Sequence, residues 1–180
     1  MSPLFYGVCQ FRAETGQVHQ VSYGNCIHLR LIIGFMEELR IVEQFLRFNR
    51  ELTRQAYALM NHGGTERCGC SYCRNFAAQR GTVYPPSFQT LLERLGIDLS
   101  KEGEVYECGP VGEYRSYGGW LYFIGELGDA GKRIVCEDNS EFEYWFSEGR
   151  VLPPPEVTFG PNLLAVNFST KIPWVIEGEP

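Results

Sequence analysis

The chain has 180 residues, 44% of them hydrophobic and 21% charged, with 7 Cys and a formal net charge of -6. That length favours one domain able to bury a sizeable core without disulfides or metal, and the composition excludes a disordered tail, a collagen-like chain and a coiled-coil rod. The acidic balance argues against a nucleic-acid backbone as the main partner, but it is uneven: residues 1–80 carry nine Arg and six Glu, and all three Lys lie later.

Residues 1–28 offer little beyond a short hairpin, with Phe5 to Cys9 and Val18 to Tyr23 as strands about a turn at Glu14 to Gln17. His19, Cys26 and His28 fall here. Nothing resembles a secretory signal or a membrane span, so a cytoplasmic protein is expected. Met36-Glu37-Glu38 also suits a helix start, and residues 1–35 read as a candidate upstream extension.

Over 29–60, Ile32, Phe35, Met36, Leu39, Val42, Phe45 and Leu46 recur at spacings of three and four. This predicts a helical stretch, single or broken at Asn49 or Thr53, either of which can cap a new N-terminus. Such a helix is unusually apolar, and Phe35, Phe45 and Phe48 suggest a stripe for a protein partner or a second copy. Asn61 to Gly64 ends this helical part.

After Pro85-Pro86, Ser87 can cap a helix at 88–95, with Phe88, Leu91, Leu92 and Leu95 on one face and Gly96 as its stop. A turn follows near Lys101 to Gly103. From residue 104 the period changes to two. Strands are expected at 104–108, at 114–127 with a turn or bulge at Gly118-Gly119, at 133–137 and around Phe142 to Phe146. Gly128 to Gly131 reads as a hairpin turn and Pro153 to Pro155 as a stiff connection. The last strand places Leu164, Val166, Phe168, Thr170, Ile172, Trp174 and Ile176 on one face. Asn167, Ser169, Lys171 and Pro173 take the wet face, and Pro173 predicts an edge or a bulge. The expected fold is α+β: N-terminal helices packed on an antiparallel sheet of four to six strands, formed mainly by residues 104–176, in a single domain over 1–180.

The chemistry concentrates in His62-Gly-Gly-Thr-Glu-Arg-Cys68-Gly-Cys70-Ser-Tyr-Cys73-Arg-Asn-Phe76. Zinc takes four borderline or soft ligands in a tetrahedron, and the C-x-x-C turn of Cys70 and Cys73 can offer two thiolates to one ion. Cys68 is a third, and His62, Cys108 or Cys136 is the candidate fourth. Arg67 and Arg74 would favour thiolates. Two other readings stay open: small cysteines packed reduced against the sheet, or a redox pair at a helix start. The leading functional reading is a non-enzymatic binding or interaction module whose cysteine cluster holds structural zinc. The alternative is a metal-dependent enzyme or a C-x-x-C thiol oxidoreductase. The acids Glu137, Asp138, Glu141, Glu143 and Glu148 read as a solvated turn and strand face. Trp120, Trp145 and Trp174 read as packing between sheet and helices.

The segment Cys70-Ser-Tyr-Cys73-Arg-Asn-Phe, with Leu95 to Asp98, Tyr117 to Trp120 and Pro173 to Val175, resembles small uncharacterised bacterial proteins. These carry a C-x-x-C-R-N-F segment, a Leu-Gly-Ile-Asp helix end, a Tyr-Gly-Gly-Trp strand and a closing Pro-Trp-Val strand. The resemblance covers about residues 52–180. It implies a shared fold and no particular reaction.

Overall fold

In a computed structural model the chain divides into two compact units, residues 1–33 and 34–180. Described are residues 35–128, 132–149, 159 and 162–178, with the backbone of 9–12 and 18–21. In the first unit, β1 (Cys9–Arg12) pairs antiparallel with β2 (Val18–Val21). The hairpin expected there forms, its first strand four residues later than the periodicity suggests. Cys26, His28, residues 29–34, Pro153 to Pro155 and most of the Gly128 to Gly131 turn lie outside the described residues.

The second unit is α+β. Its strands are β3 (Glu37–Ile41), β4 (Gln44–Phe48), β5 (Glu104–Val111), β6 (Tyr114–Leu127), β7 (Ile134–Cys136), β8 (Asn139–Glu148) and β9 (Leu163–Pro173). They form one seven-stranded antiparallel sheet in the order β3-β4-β6-β9-β8-β7, with β5 also on β6. The sheet is therefore larger than the expected four to six strands. The helices are α1 (Arg50–Leu59), α2 (Gly64–Cys68), α3 (Ser71–Val83) and α4 (Pro86–Leu95).

The additional strands come from the segment read as helix. Residues 37–48 are a hairpin, with Ile41 paired to Gln44 across Val42-Glu43. Their apolar residues fit period two as well as period 3.6: Leu39, Leu46 and Phe48 are buried in the sheet. Two-residue hairpin turns favour Gly, Asn or Asp. Here Val42 takes φ 55, where a β-branched residue is strained, so the turn carries no sequence signal. The helical partner stripe does not exist in this form. Phe48 is core, and among the described residues of 29–60 only α1 is helical. Asn49 does cap α1, its Oδ1 accepting from the Leu52 N–H at 2.9 Å.

β6 organises the sheet. β9 covers one edge along 114–124, and β5 and β4 cover the two ends of the other, leaving Tyr122 and Ile124 facing no strand between them. Helix α1 fills that gap. The Tyr57 hydroxyl donates to the Tyr122 carbonyl and accepts its N–H, both at 3.0 Å. The Thr53 hydroxyl accepts the Ile124 N–H at 3.1 Å, and the Asn49 N–H donates to the Ile124 carbonyl at 2.8 Å. Side chains of a helix thus complete a ladder that backbone would otherwise supply.

One face of the sheet meets α3 and α4 through aromatic rings. Phe168 stacks with Phe142 and Phe76 and meets Tyr84 edge-on, while Phe88 packs on Phe142 and Tyr144. Gly118 and Gly119 are neither turn nor bulge: β6 pairs with β9 without a break. A Cβ at 119 would stand 2.6 Å from the Phe168 ring and one at 118 would stand 2.7 Å from Tyr106, so rings lie directly over this backbone. The bulge occurs in β5, where the register shifts between Glu107 and Gly109 and leaves Cys108 unpaired. Pro173 does not mark an edge strand, because β9 is central; it sits at the strand's last position, where the ladder ends. Ser87 does not cap α4 either. The helix begins at Pro86, whose missing N–H costs nothing there, and Asp138 reaches from the β7–β8 turn to accept the Ser87 N–H and hydroxyl at 2.8 and 2.6 Å.

Candidate metal centre

Cys68 ends α2, Gly69 follows in the left-handed conformation with φ 63, and Cys70 is the N-cap of α3. The left-handed residue reverses the chain at little steric cost because it is Gly. Cys73 lies in the first turn of α3. The three Sγ atoms are all within 4.8 Å of one another, so one ion can reach all three. Cys68 and Cys70 are exposed and Cys73 is buried, and none of the five described cysteines is in a disulfide.

The three thiols are unequal. The N–H of Cys73, at the positive end of the helix, holds the Cys70 thiol below its ordinary range; burial opposes this, and the neighbouring thiols reinforce it. The contact falls short of a full N-cap hydrogen bond, so it acts as a dipole aimed at the sulfur. Burial pushes the Cys73 thiol far up, and the neighbouring Cys68 and Cys70 sulfurs, which favour its protonated form, add to the shift. Its sulfur lies 3.9 Å from the Val105 carbonyl, which it donates to.

The expected fourth ligands are elsewhere. His62 is exposed and does not join the mutually close group. Cys108 is exposed at the β5 bulge. Cys136 is buried in β7, where burial raises its thiol pKa and Ser87 partly offsets this. The structure brings together Cys68, Cys70 and Cys73 alone among the described residues. Arg67 is committed to backbone, donating to the His62 and Gly103 carbonyls.

The two helices that carry the cysteines share a largely buried ionic network that the sequence does not signal. Glu102, in the segment read as a simple turn, is 0% exposed. It accepts from Arg80 Nε at 2.6 Å and Nη2 at 3.0 Å, from the Tyr84 hydroxyl at 3.2 Å and from the Thr65 hydroxyl at 3.3 Å. Arg80 also holds Glu66 at 2.7 Å and the Thr65 hydroxyl at 2.6 Å. Glu66 in turn accepts the Gly63 N–H at 3.1 Å. Arg80 belongs to α3 and Thr65 and Glu66 to α2, so this network fixes the two helices whose ends carry the cysteines. An i to i+3 capping pattern at Gly63 and Glu66 was the one hint available, and only for part of it.

Among the described residues no helix is long and apolar enough to cross a membrane. No protein-family model, no curated protein and no solved structure matches the chain.

Proposed function

We propose that the chain is a metal-binding module of the cytoplasm in which Cys68, Cys70 and Cys73 hold one zinc ion as thiolates. The observation that supports this is the convergence of their three sulfurs at the junction of α2 and α3. Thiolates are the ligands zinc and other soft ions prefer, and metal binding would remove the proton that burial keeps on Cys73. The fourth position goes to an exchangeable donor, water or a side chain of a partner protein. That suits a module that assembles with other proteins more than a closed structural site. Titration of the metal-free protein with cobalt(II) tests the reading. One equivalent should produce thiolate-to-cobalt charge-transfer bands that Cys73→Ser strongly weakens. Absence of such bands in the wild type would refute it.

A second reading is favoured by one observation, the pairing of an exposed Cys70 with a buried Cys73 at a helix start. In a thiol–disulfide exchange, the Cys70 thiolate would attack a partner's disulfide, forming a mixed disulfide and releasing one thiolate. Cys73, losing its proton, would attack the Cys70 sulfur and release the second thiolate, leaving Cys70–Cys73 oxidised. A Cys70→Ser variant that loses reduction of a model disulfide but retains bound zinc would favour this reading over the first.

A further inference from the structure

Two arginines of α1 gather away from the cysteines. Arg50 and Arg54 of α1, one turn apart, line an open cavity of about 370 Å³ together with Lys101. Glu93 and Asp98 are the acids of its wall. Arg50 meets Glu93 at the loose distance of 3.9 Å, and Lys101 meets Asp98 at 3.4 Å. Arg50 Nε is buried without a hydrogen-bond partner, and Arg54 has no ion pair among the described residues.

These ion pairs, and the hydrogen bond from Lys101 to the Tyr57 carbonyl at 3.0 Å, account for only part of the arrangement. Like charges at i and i+4 repel, and Arg50, in the first turn of α1, opposes the helix dipole. The stems are nevertheless held together. Both lie against Gly96, the left-handed stop of α4, where a Cβ would stand 3.0 Å from Arg54 Cγ and 3.1 Å from Arg50 Cγ. Three cations converging at some cost, with one guanidinium nitrogen unpartnered and one side chain unpaired, are suited to a compact dianion. The planar guanidinium fork matches phosphate oxygens. A second open cavity of about 500 Å³ shares Glu93, Ile97 and Asp98 with the first and adds Gln89, Thr90 and Leu99. It offers an apolar floor at Ile97 and Leu99 with polar groups beside it.

We infer that this surface binds a small phosphomonoester, its phosphate between Arg50, Arg54 and Lys101 and its organic part over Ile97 and Leu99. The site is separate from the cysteine cluster and independent of the metal.

Isothermal titration with phenyl phosphate, at constant ionic strength, tests the inference. Saturable one-to-one binding is expected, weakened at least tenfold by Arg54→Gln, which replaces an exposed side chain and should leave the melting temperature unchanged. Glu93→Gln frees Arg50 and should tighten binding about threefold. Inorganic phosphate should bind more weakly than phenyl phosphate. Absence of saturable binding, or equal affinity in the wild type and Arg54→Gln, would overturn the site. Equal affinity for inorganic phosphate would overturn the placing of an organic part in the second cavity.

Discussion

Replacing Arg80 by Met removes the only cation that reaches Glu102 among the described residues. Met approximates the aliphatic stem, so the volume lost is small, and the main effect is electrostatic. Glu102 is 0% exposed and would keep only the Tyr84 and Thr65 hydroxyls as donors. Breaking a buried pair in this way costs about 3–5 kcal/mol, because the remaining carboxylate is left buried without its countercharge. At about 2–4 °C per kcal/mol for a chain of this size, the melting temperature should fall by roughly 10 °C. The double variant Arg80→Met, Glu102→Gln removes the stranded charge and should recover more than half of the loss. Thermal unfolding at neutral pH reads both numbers. If the single variant melts within about 2 °C of the wild type, or the double variant is less stable than the single, the network does not hold α2 on α3. The same single variant should also weaken metal binding, since Thr65 and Glu66 position Cys68 through α2.

Tyr57→Phe keeps the ring that meets Phe159 edge-on but removes the hydroxyl serving both backbone groups of Tyr122. A loss of about 2–4 kcal/mol is expected by chemical denaturation, against little change for a surface Tyr such as Tyr114. Val42→Gly should stabilise the β3–β4 hairpin by roughly 1 kcal/mol, because it relieves a left-handed valine; a loss of stability would contradict the strain. The pH dependence has a definite sign. Burial opposes the charged forms of Glu66 and Asp98, yet Arg80 holds the Glu66 carboxyl below its ordinary range, and Ser100 with Lys101 does the same for Asp98. Their contribution is complete above the unfolded carboxylate range and is lost as pH falls through the folded values, so stability should decline below about pH 5. In metal-free protein, Cys70 should be alkylated well before Cys73 at pH 6, as peptide mapping would show, and equal rates would contradict their unequal surroundings.

The legible parts of this chain were those where one local rule acted alone. β6 and β9 carry long period-two patterns, and the observed strands match them at Tyr114–Leu127 and Leu163–Pro173. The face Phe88, Leu91, Leu92 and Leu95 and the Gly96 stop gave α4, and the short spacing of Cys68, Cys70 and Cys73 gave their convergence. What stayed hidden depended on partners distant in sequence. Leu39 and Leu46 satisfy helical spacing, but Leu39 pairs with Leu46 in the β3–β4 hairpin, and Leu46 and Phe48 pair with β6, 79 residues away for Arg47 and Glu126. Glu102 looked like an ordinary turn residue because its cation, Arg80, belongs to another helix. Asp138 caps α4 from 51 residues away, so Ser87 appeared to be the cap. The fourth metal ligand was sought at His62, Cys108 and Cys136 by residue type, which says nothing of where β5 and β7 place them.

X-ray absorption at the zinc edge of protein purified without chelator tests the central claim most directly. One zinc per chain is expected, with three sulfur neighbours at about 2.3 Å and one lighter atom. Zinc absent, or bound with no sulfur in its shell, would contradict it.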